Sequence, residues 1–190
     1  MSNATFILLA LNLGYIGLLP RIFFRRDGRL NLKWWLTAGP FFLCLVLVVL
    51  QYLGVLRPWW YGPQLFAAME AVGVVLCAAS IAFISYTLGT HRRRLSLWHQ
   101  QNDAPEEIVT YGAYRYVRHP FYASFIMTFV ATTLVCLSPL ILAISAFGVL
   151  MLNHTAAREE QRLQESKFGE QYRDYLGRSG RFLPRSRATQ

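Results

Sequence analysis

The sequence predicts an all-α integral membrane protein with about five transmembrane helices. Of its 190 residues, 54% are hydrophobic and only 15% are charged. The charged residues are clustered, and four runs carry no Asp, Glu, Lys or Arg: residues 1–20, 34–56, 71–90 and 119–157. A membrane-spanning helix needs about 20 mostly apolar residues, which each run provides. The fourth run is long enough for two helices.

Turn signals and changes in polarity divide the chain into predicted helices and loops. Ser138-Pro139 marks a tight turn in the fourth run, so its two helices form a hairpin. The last helix is expected to continue beyond the membrane as an amphipathic helix to Lys167, and a short helix should cover residues 170–177. The predicted spans are at about residues 4–20, 34–56, 64–88, 120–137 and 140–157. Residues 1–89 thus hold three helices, and residues 90–190 form a second region with a polar loop, the hairpin and the amphipathic helices.

The distribution of basic residues predicts the orientation. Of the 19 Lys and Arg residues, 18 fall in the segments 21–33, 92–118 and 158–190, and Arg57 alone lies on the other side. Because basic loops stay in the cytoplasm, we expect a multi-pass protein of the cytoplasmic (inner) membrane with its N-terminus outside and its C-terminus inside. The net charge of +9 could indicate a nucleic-acid partner. Its distribution over the segments beside the predicted spans argues against this and favours contact with membrane lipids.

Four residues inside the predicted spans are candidate functional residues. Cys44, Cys77 and Cys136 are scattered, which indicates helix-packing or lipid-facing residues rather than a metal site or a disulfide framework. Glu70 is the one acidic residue within a predicted span, and an ionisable group at that depth is a functional candidate. The alternative is that Glu70 reaches the outer interface or a polar partner.

The most informative polar stretch, residues 111–122, leads directly into the fourth span. Pro120 suits the first helical turn, where its missing N–H is no loss. The residue before a proline is pushed out of the helical conformation, so His119 should lie near the N-cap. A helix N-terminus carries partial positive charge, and Arg115 and Arg118 add to it, which makes an anion site. The alternative is a set of anchors at the lipid headgroups.

A second polar cluster, residues 153–160, ends the fifth span. Helical spacing places Asn153 and Glu160 on one face and His154 and Arg158 on the neighbouring face. The hairpin brings this end of helix 5 to the start of helix 4, so residues up to 41 positions apart are expected to converge. The expected group is His119, Tyr122, Asn153, Arg158 and Glu160. The alternative is a solvated helical face with ion pairs along it.

Three ordered blocks carry a family resemblance. They are Gly112-x-Tyr114-Arg115-Tyr116-Val117-Arg118-His119-Pro120-x-Tyr122, then Glu159-Glu160, then Phe168-Gly169-x-x-Tyr172-x-x-Tyr175. Together they resemble the isoprenylcysteine carboxyl methyltransferase family, which is similar in turn to the bacterial phospholipid N-methyltransferases. The resemblance covers about residues 90–184, and residues 1–89 match only in being membrane helices. Arg-His-Pro alone is less specific, since membrane sterol reductases carry a similar element.

The resemblance implies an S-adenosylmethionine-dependent methyltransferase whose cofactor site lies on the cytoplasmic side of the helix 4–5 hairpin, within a catalytic region of residues 90–190. The residue chemistry agrees with it. The cofactor's carboxylate suits Arg118 and His119 at the helix N-terminus, and its amino group and sulfonium suit Glu160 and tyrosine rings. The expected cofactor-binding residues are Val109, Gly112, Tyr114, Arg115, Arg118, His119, Tyr122 and Glu160.

The methyl acceptor is expected to be a lipophilic molecule from the bilayer, and the resemblance favours a carboxylate. A carboxylate needs alignment and exclusion of water rather than a strong base, and Arg158 would steer it. Here Arg158 abuts Glu159 directly, whereas the eukaryotic pattern has a longer acidic run. An amine acceptor, as in a phospholipid headgroup, must lose a proton to a base such as His154 or Glu159. The expected catalytic residues are Asn153, His154, Arg158 and Glu159.

Two other functions fit the pattern less well. A membrane reductase using NADPH is disfavoured by the short chain and by the Glu159-Glu160 pair, and a non-catalytic protein that keeps the fold is the third possibility. The segment Ser96–His99 is expected either to cap the site or to anchor the chain at the interface. No metal and no particular oligomeric state are predicted.

Overall fold

The computed structural model describes residues 1–19, 23–25, 27–59, 62–90 and 107–185, and these ranges contain helices and no extended sheet. The helices are α1 (Asn3–Gly17), α2 (Leu32–Tyr52), α3 (Pro63–Thr90), α4 (Pro120–Cys136), α5 (Pro139–Gln164) and α6 (Gly169–Arg178). A 3₁₀ turn, Gly112–Arg115, precedes α4. The predicted all-α class is therefore confirmed for this part of the chain. Arg92–Arg94, Ser96–His99, Trp60 and Arg187 lie outside the described residues.

The prediction of a multi-pass membrane protein is supported by helix length and composition. Within the described ranges, three helices, α2, α3 and α5, are long and apolar enough to cross a membrane. The apolar helices α1 and α4 have 15 and 17 residues, somewhat fewer than the roughly 20 that a full span needs. The count of five spans stays a prediction. In α5 the uncharged stretch ends at Ala157, and residues 158–164 form its polar extension.

The apolar core takes buried side chains from α1, α2, α3, α4 and α5. Phe41 of α2 stacks on Phe129 of α4, with ring centroids 4.2 Å apart. Gly148 of α5 faces the Phe129 ring so closely that a β-carbon at this position would collide with it. Cys44 and Cys136 are fully buried in this core, as expected for residues that pack between helices.

A buried polar cluster joins α1 to α3 and α4. The Asn12 side chain donates to the Cys77 carbonyl at 2.8 Å and accepts from the Thr128 hydroxyl at 2.7 Å. The Ser80 hydroxyl lies 2.8 Å from that of Thr128. Asn12, Ser80 and Thr128 are completely buried. Hydrogen bonds between membrane helices fix which faces meet, because an unpaired polar group in an apolar surrounding is costly.

Glu70 has a polar partner. Its carboxylate accepts a hydrogen bond from the backbone N–H of Ser2 at 2.9 Å and lies 3.8 Å from the terminal ammonium of Met1. These contacts join α3 to the start of α1. The geometry agrees with the second interpretation of Glu70, a charged residue that reaches a polar partner.

The α4–α5 hairpin sets the position of the candidate site. His119 is the N-cap of α4 and Pro120 its first residue, as predicted. Leu137 takes up a left-handed conformation with φ 47°, and Pro139 begins α5 after Ser138. The start of α4 and the polar end of α5 therefore lie at the same end of the hairpin.

Candidate active site

Glu160 is the centre of a cluster of charged side chains beyond the uncharged stretch of α5, and it is only 5% exposed. Its Oε1 lies 3.0 Å from Arg118 Nε, 3.2 Å from His119 Nε2 and 3.2 Å from Arg181 Nε. Its Oε2 accepts from Arg181 Nη2 at 2.6 Å. Burial raises the pKa of Glu160, but the hydrogen bonds from His119, Arg181 and Arg118 outweigh it and bring the pKa to about 2. Glu160 is therefore ionised at neutral pH.

Glu159 has the opposite environment. Its Oε1 accepts from the Tyr122 hydroxyl at 3.0 Å, and its Oε2 lies 3.6 Å from His119 Nδ1. Burial raises the pKa of Glu159, and the neighbouring His119 and Tyr122 offset that effect only in part. Two adjacent carboxyl groups whose pKa values are pushed apart suit different tasks. Glu160 is a fixed anion, and Glu159 is the better proton acceptor.

The His119 ring lies between the two carboxylates. Each of its ring nitrogens faces one of them, and its plane is parallel to the Tyr122 ring, with centroids 5.4 Å apart. The N-cap position explains this geometry, because it holds the side chain at the mouth of α4, one turn before Tyr122. The His119 side chain makes no hydrogen bond to its own helix. Its ring is directed instead to Glu159 and Glu160, which we call the acid pair.

A short segment after α6, residues 179–183, packs against the chain that leads into α4. The backbone N–H of Arg118 donates to the Gly180 carbonyl at 2.8 Å, and that of His119 donates to the Arg181 carbonyl at 3.1 Å. Arg118 Nη1 also donates to the Ser179 carbonyl. A β-carbon at Gly180 would collide with the Leu183 carbonyl, so this close turn requires glycine. We call residues 179–183 the strap.

A groove of about 730 Å³ lies beside the cluster, between the 3₁₀ turn and α6. Gly112 and Arg115 line one side, and Tyr175 and Ser179 line the other. Ser179 belongs to both regions, because its carbonyl accepts from Arg118. The turn is anchored by Thr90 at the end of α3, whose hydroxyl accepts from the Ala113 N–H at 3.3 Å. The volume falls within the range of small-molecule pockets, roughly 300–1,000 Å³.

The structure brings most of the predicted site residues to this region. His119, Tyr122, Glu159 and Glu160 meet directly, and Asn153 joins them by accepting from Arg181 Nη1 at 2.9 Å. Of the other predicted residues, Gly112 and Arg115 line the groove. Tyr114 interacts electrostatically with Glu159 and Tyr122, and Val109, on the approach to the turn, is half-buried.

Two predicted residues lie apart from the cluster. His154 and Arg158 are exposed, and within the described part of the chain neither forms a hydrogen bond or ion pair with the acid pair or His119. Arg118 lies in the cluster, but its guanidinium binds Glu160 and the strap rather than facing a site for the cofactor's carboxylate. The sequence reasoning missed Arg181, which has the most hydrogen bonds to Glu160.

The fold and the site define a helical membrane protein with a buried cluster of charged side chains at one end of a helix hairpin. The sequence profile of the phospholipid methyltransferase family matches residues 68–171, more than half of the chain. The chain therefore belongs to the phospholipid methyltransferase family, a family of membrane methyltransferases. This confirms the predicted family and, with it, a methyltransferase as the class of enzyme.

Two relatives extend the comparison. A methanethiol S-methyltransferase of Pseudomonas sp. (strain GM41(2012)) is 27% identical over 181 residues, which are 85% of this chain and 68% of the relative. A methanethiol S-methyltransferase of Mycobacterium tuberculosis (strain ATCC 25618 / H37Rv) is 37% identical over 71 residues, which are 37% of this chain and 28% of the relative. The matches thus span about a quarter of one relative and about two thirds of the other.

Proposed function

We propose that this chain is an S-adenosylmethionine-dependent methyltransferase that modifies a lipophilic acceptor at the cytoplasmic side of the membrane. One observation carries the proposal: two helices gather His119, Tyr122, Glu159 and Glu160 at the N-terminus of α4, beside a groove of about 730 Å³. Membership of a methyltransferase family supports it.

The described residues fit the cofactor's chemical groups. A carboxylate suits the first N–H groups of α4 with His119 beside them. The groove beside Gly112 and Arg115 has room for a nucleoside. Glu160, whose oxygens are engaged by Arg118, His119 and Arg181, contributes by holding His119 and Arg118 in place. When bound, S-adenosylmethionine supplies an activated methyl group on a sulfonium.

Cofactor binding is tested with His119→Ala in detergent-purified protein. Loss of one charge-assisted hydrogen bond should weaken the calorimetric affinity by about 1–3 kcal/mol, or roughly 5- to 150-fold. Arg57→Ala removes an exposed arginine from the connection between α2 and α3 and should leave the affinity unchanged. An unaltered affinity in His119→Ala would rule out the proposed position of the cofactor.

Glu159 is the residue that we propose as proton acceptor. Its pKa is raised by burial, which brings a carboxyl group closer to the pH at which it works as a general base. The Tyr122 hydroxyl donates to Oε1 and so fixes the orientation of the carboxylate. An acceptor that carries a proton, such as an amine or a thiol, would need this base, whereas a carboxylate acceptor would not.

The first candidate acceptor is a lipophilic carboxylate, and a phospholipid amine is its alternative. A carboxylate steered by Arg158 should react poorly in Arg158→Lys, because lysine cannot reproduce the two-pronged contact. An amine should react equally well in both proteins. Arg158 is exposed on the polar extension of α5, where an acceptor from the bilayer surface would meet it.

A small thiol is the second candidate, and it is favoured by the similarity to two methanethiol S-methyltransferases. Membranes incubated with methyl-labelled cofactor distinguish the three classes by product. Base-labile label indicates esters, stable lipid-soluble label indicates methylated amines, and volatile label indicates thioethers.

For a tailed acceptor, shortening the tail should lower activity progressively, because each buried CH₂ contributes about 0.8 kcal/mol. Equal methylation of a tail-less soluble carboxylate would rule out delivery from the bilayer.

A further inference from the structure

We infer that Arg181 is a positioning residue that fixes the acid pair and His119 for cofactor binding. This inference rests on the proposed function. Arg181 lies on the strap, outside the stretch of residues 68–171 that the family profile matches. Its guanidinium nevertheless reaches the centre of the site, where it is bonded to Glu160 and Asn153.

The first argument is the two-pronged contact with Glu160. Arg181 Nε donates to Oε1 at 3.2 Å, and Nη2 donates to Oε2 at 2.6 Å. A guanidinium that donates to both carboxylate oxygens fixes the plane of the carboxylate, which a single donor does not. Arg118 and His119 both contact Oε1. Within the described residues, Arg181 is therefore the side chain that holds Oε2 and sets the rotation of the carboxylate.

The second argument is that the same residue also holds His119. The backbone carbonyl of Arg181 accepts the His119 N–H at 3.1 Å, while its side chain holds the carboxylate that His119 Nε2 faces. Backbone and side chain of one residue thus fix both sides of this interaction. Phe182, next on the strap, places its ring 6.1 Å from that of His119.

The third argument separates a positioning role from direct contact with a ligand. Arg181 Nε, Nη1 and Nη2 all donate to Glu160 or Asn153, so the fork is directed into the protein. The hydrogen bond to Glu160 also raises the pKa of Arg181, as expected for a cation held by a buried anion. Arg181 therefore acts on a ligand through Glu160 and His119.

The test measures S-adenosylmethionine affinity in a double-mutant cycle of Arg181→Ala and Glu160→Gln. Each single variant should weaken binding at least about tenfold, as expected for loss of a charged hydrogen bond. Because Arg181 acts through Glu160, the affinity of the double variant should lie within about threefold of that of whichever single variant binds S-adenosylmethionine less tightly. Arg181→Lys should restore only part of the affinity. Arg173→Ala, which removes an exposed arginine from α6, is the matched control and should bind like the native protein.

Amide hydrogen exchange provides a readout that needs no cofactor. In Arg181→Ala, exchange of residues 117–119 and of the strap should become faster than in the native protein and in Arg173→Ala. Native-like affinity in Arg181→Ala, or losses that multiply in the double variant, would overturn the inference while the proposed function stands. If the native protein itself does not bind S-adenosylmethionine, the proposed function fails. Native-like exchange in Arg181→Ala would then show that Arg181 does not fix this region either.

Discussion

Replacing Glu160 by glutamine is the perturbation with the largest expected effect on stability. The substitution keeps the size of the side chain and removes its charge. In the native protein this carboxylate is buried and contacts Arg118, His119 and Arg181. An amide has one oxygen acceptor in place of two, and its NH₂ group would face Arg181 or Arg118, both of which are donors.

The magnitude follows from the pKa of Glu160. The folded structure lowers this pKa from 4.5 to about 2, and at 1.36 kcal/mol per unit this corresponds to about 3 kcal/mol at neutral pH. Breaking a buried ion pair by removing one partner typically costs about 3–5 kcal/mol. The two figures agree, so we expect Glu160→Gln to lower the free energy of unfolding by about 3 kcal/mol.

The assay is reversible unfolding in mixed micelles, compared at pH 7 between the native protein, Glu160→Gln and a control. Glu165→Gln is the matched control, since it removes an exposed carboxylate one residue after the end of α5 that accepts from Gln161 at 3.0 Å. Exposed substitutions of this kind usually change stability by no more than about 0.5 kcal/mol. A Glu160→Gln effect as small as that of the control would refute the reasoning.

The pH dependence gives an independent check of the same contribution. Because the folded pKa lies below the unfolded one, the stabilisation is complete above about pH 4.5 and is lost as the pH falls toward 2. The native protein should therefore lose its advantage over Glu160→Gln across this range. An advantage that stayed constant down to pH 2 would mean that the carboxylate charge is not its source.

Three further predictions concern the rest of the chain. Asn12→Leu removes two buried hydrogen bonds, one to the Cys77 carbonyl and one from the Thr128 hydroxyl, and should lower the unfolding free energy in micelles by about 0.6–2 kcal/mol. No change would exclude a stabilising role for the polar cluster. Gly112→Ala should cost at least about 1–2 kcal/mol in the same assay, because φ is 58° and a β-carbon would collide with the end of α3; native stability would contradict this. Reporter fusions at Arg94 and Arg187 should give cytoplasmic signals, and one at Trp60 should give an external signal. A cytoplasmic signal at Trp60 would rule out the five-span topology.

The helix ends could be predicted because their signals are local. Helices 4 and 5 were expected from 120 and about 140, and they begin at Pro120 and Pro139. In both cases a proline in the first turn follows a residue that cannot easily be helical, and an uncharged run comes next. The same signals placed His119 at the N-cap and brought the two ends of the hairpin together.

His119 was among the residues expected to meet Glu160, but the pairing of Glu160 with two arginines could not be predicted because it depends on tertiary contacts. Arg118 and Arg181 lie 42 and 21 positions from it, and nothing in their spacing indicates a pair. Arg181 follows a glycine in a basic segment that reads as solvated chain. Its role depends on how α6 and the strap pack against the start of α4. Arg158 shows the related difficulty, because helical spacing groups residues on a face without showing which face turns toward α4.

Calorimetry of the detergent-purified native protein with S-adenosylmethionine and, separately, with NADPH tests the proposed methyltransferase activity at its first step. We expect saturable one-site binding of S-adenosylmethionine that His119→Ala weakens, and no binding of NADPH. Binding of NADPH without binding of S-adenosylmethionine would rule out the methyltransferase proposal and favour a membrane reductase.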